Sequence, residues 1–169
     1  MTESILNGKK ILAVDDEPDI LDIIEEEILE AAPQCEFEKA TTYEEAAQKL
    51  NSQSYDLVIL DIMGVRGFEL LEIAVQHNFP TTMLTARSLN PQSLKRSIEM
   101  KARAFLPKEM LGETVPFLED ILEESDSISG WDRLMNKLQG YFNSLWGDYW
   151  QRQEEKFWNI FSKKTSRIE

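Results

Sequence analysis

At 169 residues, 42% hydrophobic and 29% charged, the chain has room for one ordinary domain plus a substantial appendage. Its formal net charge of −13 argues against a general nucleic-acid binder, because phosphate contacts need clustered Lys and Arg. A single cysteine, Cys35, excludes an intrachain disulfide and any multi-cysteine metal cluster, and no run of about 18 apolar residues is present to span a membrane.

The charge is unevenly placed. Residues 1–125 hold 11 basic and 25 acidic side chains, whereas residues 126–169 hold 7 and 6. That step divides the chain into a main domain, 1–125, and a C-terminal extension, 126–169. Met1 to Lys10 has no apolar stretch followed by a small-residue cleavage site, so no secretory signal is expected and the cytoplasm is the expected location.

Residues 10–125 alternate short apolar runs with helical patterns, the mark of repeated β-then-α units around a parallel sheet. The first strand is Lys10 to Val14 and stops at Asp15. Pro18 and Asp19 open a helix with Ile20, Leu21, Ile24 and Ile28 at helical spacing, and Pro33 ends it. Cys35 reads as a buried strand residue at the start of a second strand, Glu36 to Lys39. Thr41 or Thr42 can cap the next helix, with Glu44 or Glu45 completing a capping box, and that helix ends near Ser52.

Leu57-Val58-Ile59-Leu60 suits a central strand buried on both faces, and it ends abruptly at Asp61. Gly64 and Gly67 mark a turn before a helix over Phe68 to Val75. Thr82 to Thr85 is a fourth strand, and Pro91 sits in the first turn of a helix reaching about Met100. Ala104 to Leu106 is the fifth strand, followed by Pro107, Lys108 and a last helix bearing Phe117, Leu118, Ile121 and Leu122. Five such units predict an α/β fold with a doubly wound parallel sheet.

In these sheets ligands bind outside the C-terminal ends of the strands. The polar residues that close the strands are Asp15 and Asp16, Asp61, Thr85 and Lys108. Three carboxylates on one edge repel and raise at least one pKa unless a cation joins them. A hard, oxygen-liganded ion such as Mg²⁺ does so and keeps positions open for phosphate oxygens. With the positive charge of Lys108 and the hydroxyl of Thr85, the set suits transfer of a phosphoryl group onto a carboxylate. Singly, each residue has a plainer reading: Asp15 and Asp16 as helix caps, Asp61 and Thr85 as cap or turn residues, Lys108 as a solvated lysine.

The segments ILAVDDEPDI, LVILDIM, TTMLTARS and AFLPKE resemble, in order and spacing, the motifs of response-regulator receiver domains, over about residues 9–125. The resemblance implies a flavodoxin-like strand order 2-1-3-4-5 flanked by five helices. It implies that Asp61 is the phosphoacceptor, that Asp15 and Asp16 are the acidic metal pair, and that Met63 lends a backbone carbonyl to Mg²⁺. Thr85 then matches the switch hydroxyl, Lys108 the lysine that pairs with the phosphoryl group, and Phe105 the aromatic switch position. From the residues alone, Phe105 reads equally well as a core aromatic of the fifth strand. The implied donor is a sensor histidine kinase or phosphotransfer protein. Ala86, just past Thr85, is small enough to leave an acyl phosphate open to water.

The chain departs from the family pattern in three places. Glu109 follows Lys108 where proline is usual, which predicts a trans bond there. The turn Gly64-Val65-Arg66-Gly67 is short and lacks proline, and Lys101 stands where glycine is usual.

In the extension, Ser127 to Gly130 reads as a joint. All four tryptophans follow it: Trp131, Trp146, Trp150 and Trp158. An apolar stripe through Trp131, Leu134, Leu138, Tyr141 or Phe142, Leu145, Tyr149, Phe157 and Ile160 or Phe161 predicts helix, with Gly140 and Gly147 weakening or bending it. The stripe is expected to pack on the main domain or on a second copy; the sharper alternatives are a helix that docks a downstream protein partner and a membrane-surface helix, the latter opposed by Asp148, Glu154 and Glu155. No recognition helix with clustered Arg and Lys is present. His77, the sole histidine, reads as a helix-end cap or surface residue.

The expected function is a phosphorylation-controlled switch that acts through protein contacts and has no separate output enzyme. The competing readings are a Mg²⁺-dependent phosphohydrolase with an aspartyl nucleophile, and a scaffold indifferent to phosphate. Aspartyl hydrolases commonly place a second acid two residues past the nucleophile, where this chain has Met63.

Overall fold

The computed structural model describes residues 3–86, 90–123 and 127–166. Strands β1 (Lys10–Val14), β2 (Glu36–Ala40), β3 (Leu57–Asp61), β4 (Thr81–Thr85) and β5 (Ala104–Pro107) form one sheet in the order β2-β1-β3-β4-β5. All four neighbouring pairs are parallel. The order and direction match the doubly wound expectation.

Burial follows position in the sheet. Every residue of the central strand β3 is buried, as an apolar run covered on both faces should be. The edge strand β2 keeps Glu36 and Lys39 exposed, and such charges block pairing with another sheet. At the opposite edge, β5 is buried along its whole length because the C-terminal extension lies against it.

The helices between strands are α1 (Pro18–Ala31), α2 (Tyr43–Ser52), α3 (Gly67–Gln76), α4 (Pro91–Glu99) and α5 (Thr114–Glu123). Helix α1 packs with α5, and α2 with α3. Pro18 starts α1 without a side-chain cap. The Thr42 hydroxyl, not that of Thr41, caps α2 by accepting from the Glu45 N–H, and Glu45 Oε1 accepts from the Thr41 N–H in return. Asn90 caps α4 by accepting from the Ser93 N–H. A 3-10 segment, Lys108–Glu113, separates β5 from α5, which starts at Thr114, three residues before the first of its apolar residues, Phe117.

Several expectations need correction. Cys35 is buried but lies one residue before β2, its thiol donating to the Lys9 carbonyl at 3.3 Å. His77 fits its reading: it is exposed at the C-terminal end of α3, with Nε2 3.0 Å from Asn51 Oδ1. The boundary between residues 125 and 126 lies outside the described residues. Ser127 to Gly130 is not a joint but the first turn of α6 (Ser127–Trp146).

Helix α6 passes Gly140 without a break and stops before Gly147, whose φ of +88° is left-handed backbone open to glycine. A 3-10 turn, Trp150–Glu154, leads into α7 (Glu155–Ser166). In the apolar stripe Phe142 is fully buried and Tyr141 partly so, whereas Tyr149 and Ile160 are exposed. Tyr149 falls outside the stripe because the chain has left the helix by then. No helix among the described residues is long and apolar enough to cross a membrane.

Candidate functional site

The register of the sheet brings the strand-closing residues to one edge. Asp15 follows β1, with its N–H bonded to the Ala40 carbonyl, while Asp61 closes β3 and lies opposite Leu84. Thr85 ends β4 one residue further on, opposite Pro107, and Lys108 follows directly. Asp15, Asp61 and Thr85 are all buried; Asp16 is exposed.

The Asp15 carboxylate is split between two tasks. Oδ1 accepts the Glu17 N–H at 2.9 Å, which anchors the start of α1. Oδ2 is buried and lacks a well-directed hydrogen bond, although the Lys108 ammonium stands 2.9 Å away as its counter-ion. The same ammonium lies 3.3 Å from Asp61 Oδ1 and 3.6 Å from Glu17 Oε1. Lys108 therefore reaches both buried acids across a trans bond to Glu109, since no described peptide bond is cis. Proline after the lysine is not required for that reach.

One ammonium does not balance the acids. Burial, and then the charge of Asp15, pushes Asp61 up to about 7 from 3.8, although Lys108 pulls the other way. Burial also raises Asp15 against the opposing effects of the Glu17 N–H and Lys108. Burial alone would lower Lys108, but the Asp15 and Asp61 carboxylates override it and hold its ammonium above the ordinary lysine range. The pocket favours an added cation.

One carboxylate oxygen from each of Asp15, Asp16 and Asp61 lies within 4.8 Å of the other two. An all-oxygen set with one under-satisfied buried oxygen fits a hard divalent ion such as Mg²⁺. Met63 is 62% exposed and its thioether is a poor ligand for a hard ion, so any part it plays falls to its backbone carbonyl.

Two glycines shape the rim, and the sequence reading saw them only as turn markers. Gly64 (φ +84°) lies so close to Asp16 that a Cβ there would fall 2.6 Å from the carboxylate. A Cβ on Gly67 would fall 2.1 Å from the Asp61 carbonyl oxygen. Between them Arg66 is also left-handed (φ 56°), which lets this short turn close; its guanidinium pairs with Glu69 and covers the Tyr43 ring. Glu17 was missed as a partner of Lys108, though its place directly after the acidic pair was the available signal.

The profile of the response regulator receiver domain matches residues 11–115, well over half of the chain. This chain belongs to that family. The receiver is 39% identical over 87 residues to the two-component response regulator ARR18 of Arabidopsis thaliana, a match covering 48% of this chain and 13% of that one. It is 34% identical over 102 residues to the regulatory protein VanRB of Enterococcus faecalis, covering 59% and 45%. The chain thus spans less than half the length of either curated relative. Among solved structures, the receiver domain of NtrX from Brucella abortus superposes with a TM-score of 0.60 at 30% identity, over 68% of this chain and 99% of that one. The extension lies beyond the residues, 11–115, that match the family.

Phe105 stands on β5 opposite Met83 and is buried at 1% exposure. Strand alternation puts Phe105 on the same sheet face as Thr85, one strand over and offset by two positions. Its ring meets the Phe142 ring of α6 edge-on, with centroids 5.9 Å apart.

Proposed function

We propose that this receiver is a phosphorylation-controlled signalling switch whose phosphoacceptor is Asp61. The observation that carries the reading is the Lys108 ammonium held 2.9 Å from Asp15 and 3.3 Å from Asp61, beside three carboxylates able to converge. The donor is a phosphohistidine on a sensor kinase or phosphotransfer protein. An Asp61 oxygen attacks phosphorus, the P–N bond breaks as the P–O bond forms, and the histidine nitrogen leaves with the electron pair.

Asp15, Asp16 and Asp61, with the Met63 backbone carbonyl, would hold Mg²⁺, which supplies positive charge for the anionic oxygens gathering there. Lys108 neutralises the growing negative charge on Asp61 and is kept in place by Asp15. Thr85 donates its hydroxyl to the acyl phosphate once formed. That movement vacates space for Phe105 on their common sheet face, and the shift between two packings is the signal. The half-buried Ala86 leaves the phosphoryl group open to hydrolysis, which resets the switch.

The chain works through protein contacts, in the cytoplasm, and binds no nucleic acid; its net charge of −13 supports that reading. Incubation with acetyl phosphate and Mg²⁺, followed by intact mass, tests it. One phosphate adduct, absent in Asp61→Asn, is expected, with acetate released. Many turnovers without an adduct would instead identify a phosphohydrolase, and no reaction at all a scaffold.

A further inference from the structure

Helices α6 and α7 occupy the surface formed by α4, β5 and α5, and their contacts are varied and specific. The Trp131 indole N–H donates to the Ala102 carbonyl at 2.7 Å in a buried setting. Lys137 pairs with Asp120 of α5 at 2.7 Å, and Tyr141 donates to Glu109 at 3.2 Å, one residue past Lys108. Lys95 of α4 pairs with Glu154 at 3.1 Å and lies over the Phe157 ring.

At the centre, Phe142 is fully buried and touches Phe105. Behind it the rings continue: Phe142 stacks on Trp146 with centroids 5.0 Å apart, Trp150 meets both edge-on, and Trp158 meets Trp150. Phe105 therefore shares a sheet face with the switch residue Thr85 and meets, through Phe142, an aromatic series belonging to the extension.

We infer that the extension is the receiver's own output element: it is docked on the α4–β5–α5 surface while Asp61 is unmodified and is loosened when Asp61 is phosphorylated. The inference rests on the phosphoacceptor reading of Asp61. Inward rotation of Phe105 withdraws the ring edge that Phe142 packs against. Because interiors are close-packed, α6 cannot follow without giving up other contacts. Trp131 tethers its start to Ala102, and Glu154, beyond its end, is tethered to Lys95. Docking thus matches one packing of Phe105 and opposes the other, which makes the extension and the phosphoryl group mutually unfavourable ligands of the receiver.

Amide hydrogen exchange of the full chain tests this, with and without Mg²⁺ and beryllofluoride, alongside intact mass after acetyl phosphate. Exchange across residues 131–146 is expected to rise at least about tenfold on loading, and not in Asp61→Asn. Linkage adds a second readout: the surface change Lys95→Ala, which removes the tie to Glu154, should tighten beryllofluoride binding severalfold. Phe142→Leu should accept phosphate yet lose most of the exchange response. An adduct with unchanged or slowed exchange in α6 overturns the inference and leaves Asp61 as phosphoacceptor. The absence of any adduct overturns both.

Discussion

Gly67 sits directly beneath Asp61: a Cβ at this first residue of α3 would lie 2.1 Å from the Asp61 carbonyl oxygen and 2.8 Å from Ile62 Cα. The opposing atoms are backbone, so nothing flexible can yield. The short turn after Asp61 closes only because the residue there has no side chain.

Gly67→Ala is therefore expected to destabilise the protein by roughly 1–3 kcal/mol, the range for forced overpacking. Urea unfolding would show a lower midpoint at an unchanged slope. Gly112, with open space around its missing Cβ, serves as the control and should change little as Gly112→Ala.

Lys108→Met removes the counter-ion that Asp15 and Asp61 share. Acceptance of phosphate from acetyl phosphate should fall roughly 100-fold, as when one preorganised charge-stabilising group is lost from a reaction centre. The rate of adduct formation by intact mass measures this. Magnesium should still bind, and more tightly, because a competing cation has gone.

Burial and Asp15 raise Asp61 to about 7 without metal, above the 3.8 of the unfolded chain. A raised carboxyl binds more protons folded than unfolded, so its stabilising contribution is complete below pH 3.8 and is lost as the pH rises past about 7. In chelator, the urea midpoint should fall between pH 5 and pH 7.5. Asp61→Asn should flatten that dependence and stabilise the protein at pH 7.5. Added Mg²⁺ should have the opposite trend, gaining affinity with pH because protons compete for the same oxygens.

Lys101 is held at φ +71° in the turn after α4, a conformation that costs a residue with a Cβ about 1–2 kcal/mol. Lys101→Gly should raise the melting temperature by roughly 2–4 °C, as a gain of about 1 kcal/mol does in a domain of this size. Asn78, at φ 61°, is the contrast: asparagine tolerates this region, so Asn78→Gly should gain less.

The sheet was legible because each strand advertises itself twice, by an apolar run and by the polar residue that stops it. The run from Leu57 to Leu60, closed by Asp61, is the clearest case, and Asp15, Thr85 and Lys108 came together at the edge from the same logic. Ser127 to Gly130 misled because Ser and Gly are turn formers by local preference, whereas here packing of the following apolar stripe extends the helix through them. The stripe itself could be seen, but a periodic pattern names a face and not its partner. That Phe142 meets Phe105, and that Trp131 reaches Ala102, depends on long-range geometry. The close approach of Gly67 to Asp61 was hidden for the same reason.

The occupied surface along β5 also sets terms for any outside protein that would bind there. Such a visitor competes with a segment joined to α5 by residues 124–126, present at an effective concentration on the order of millimolar. Weak encounters are excluded by this tethered rival. Selectivity then comes from what already fills the seat.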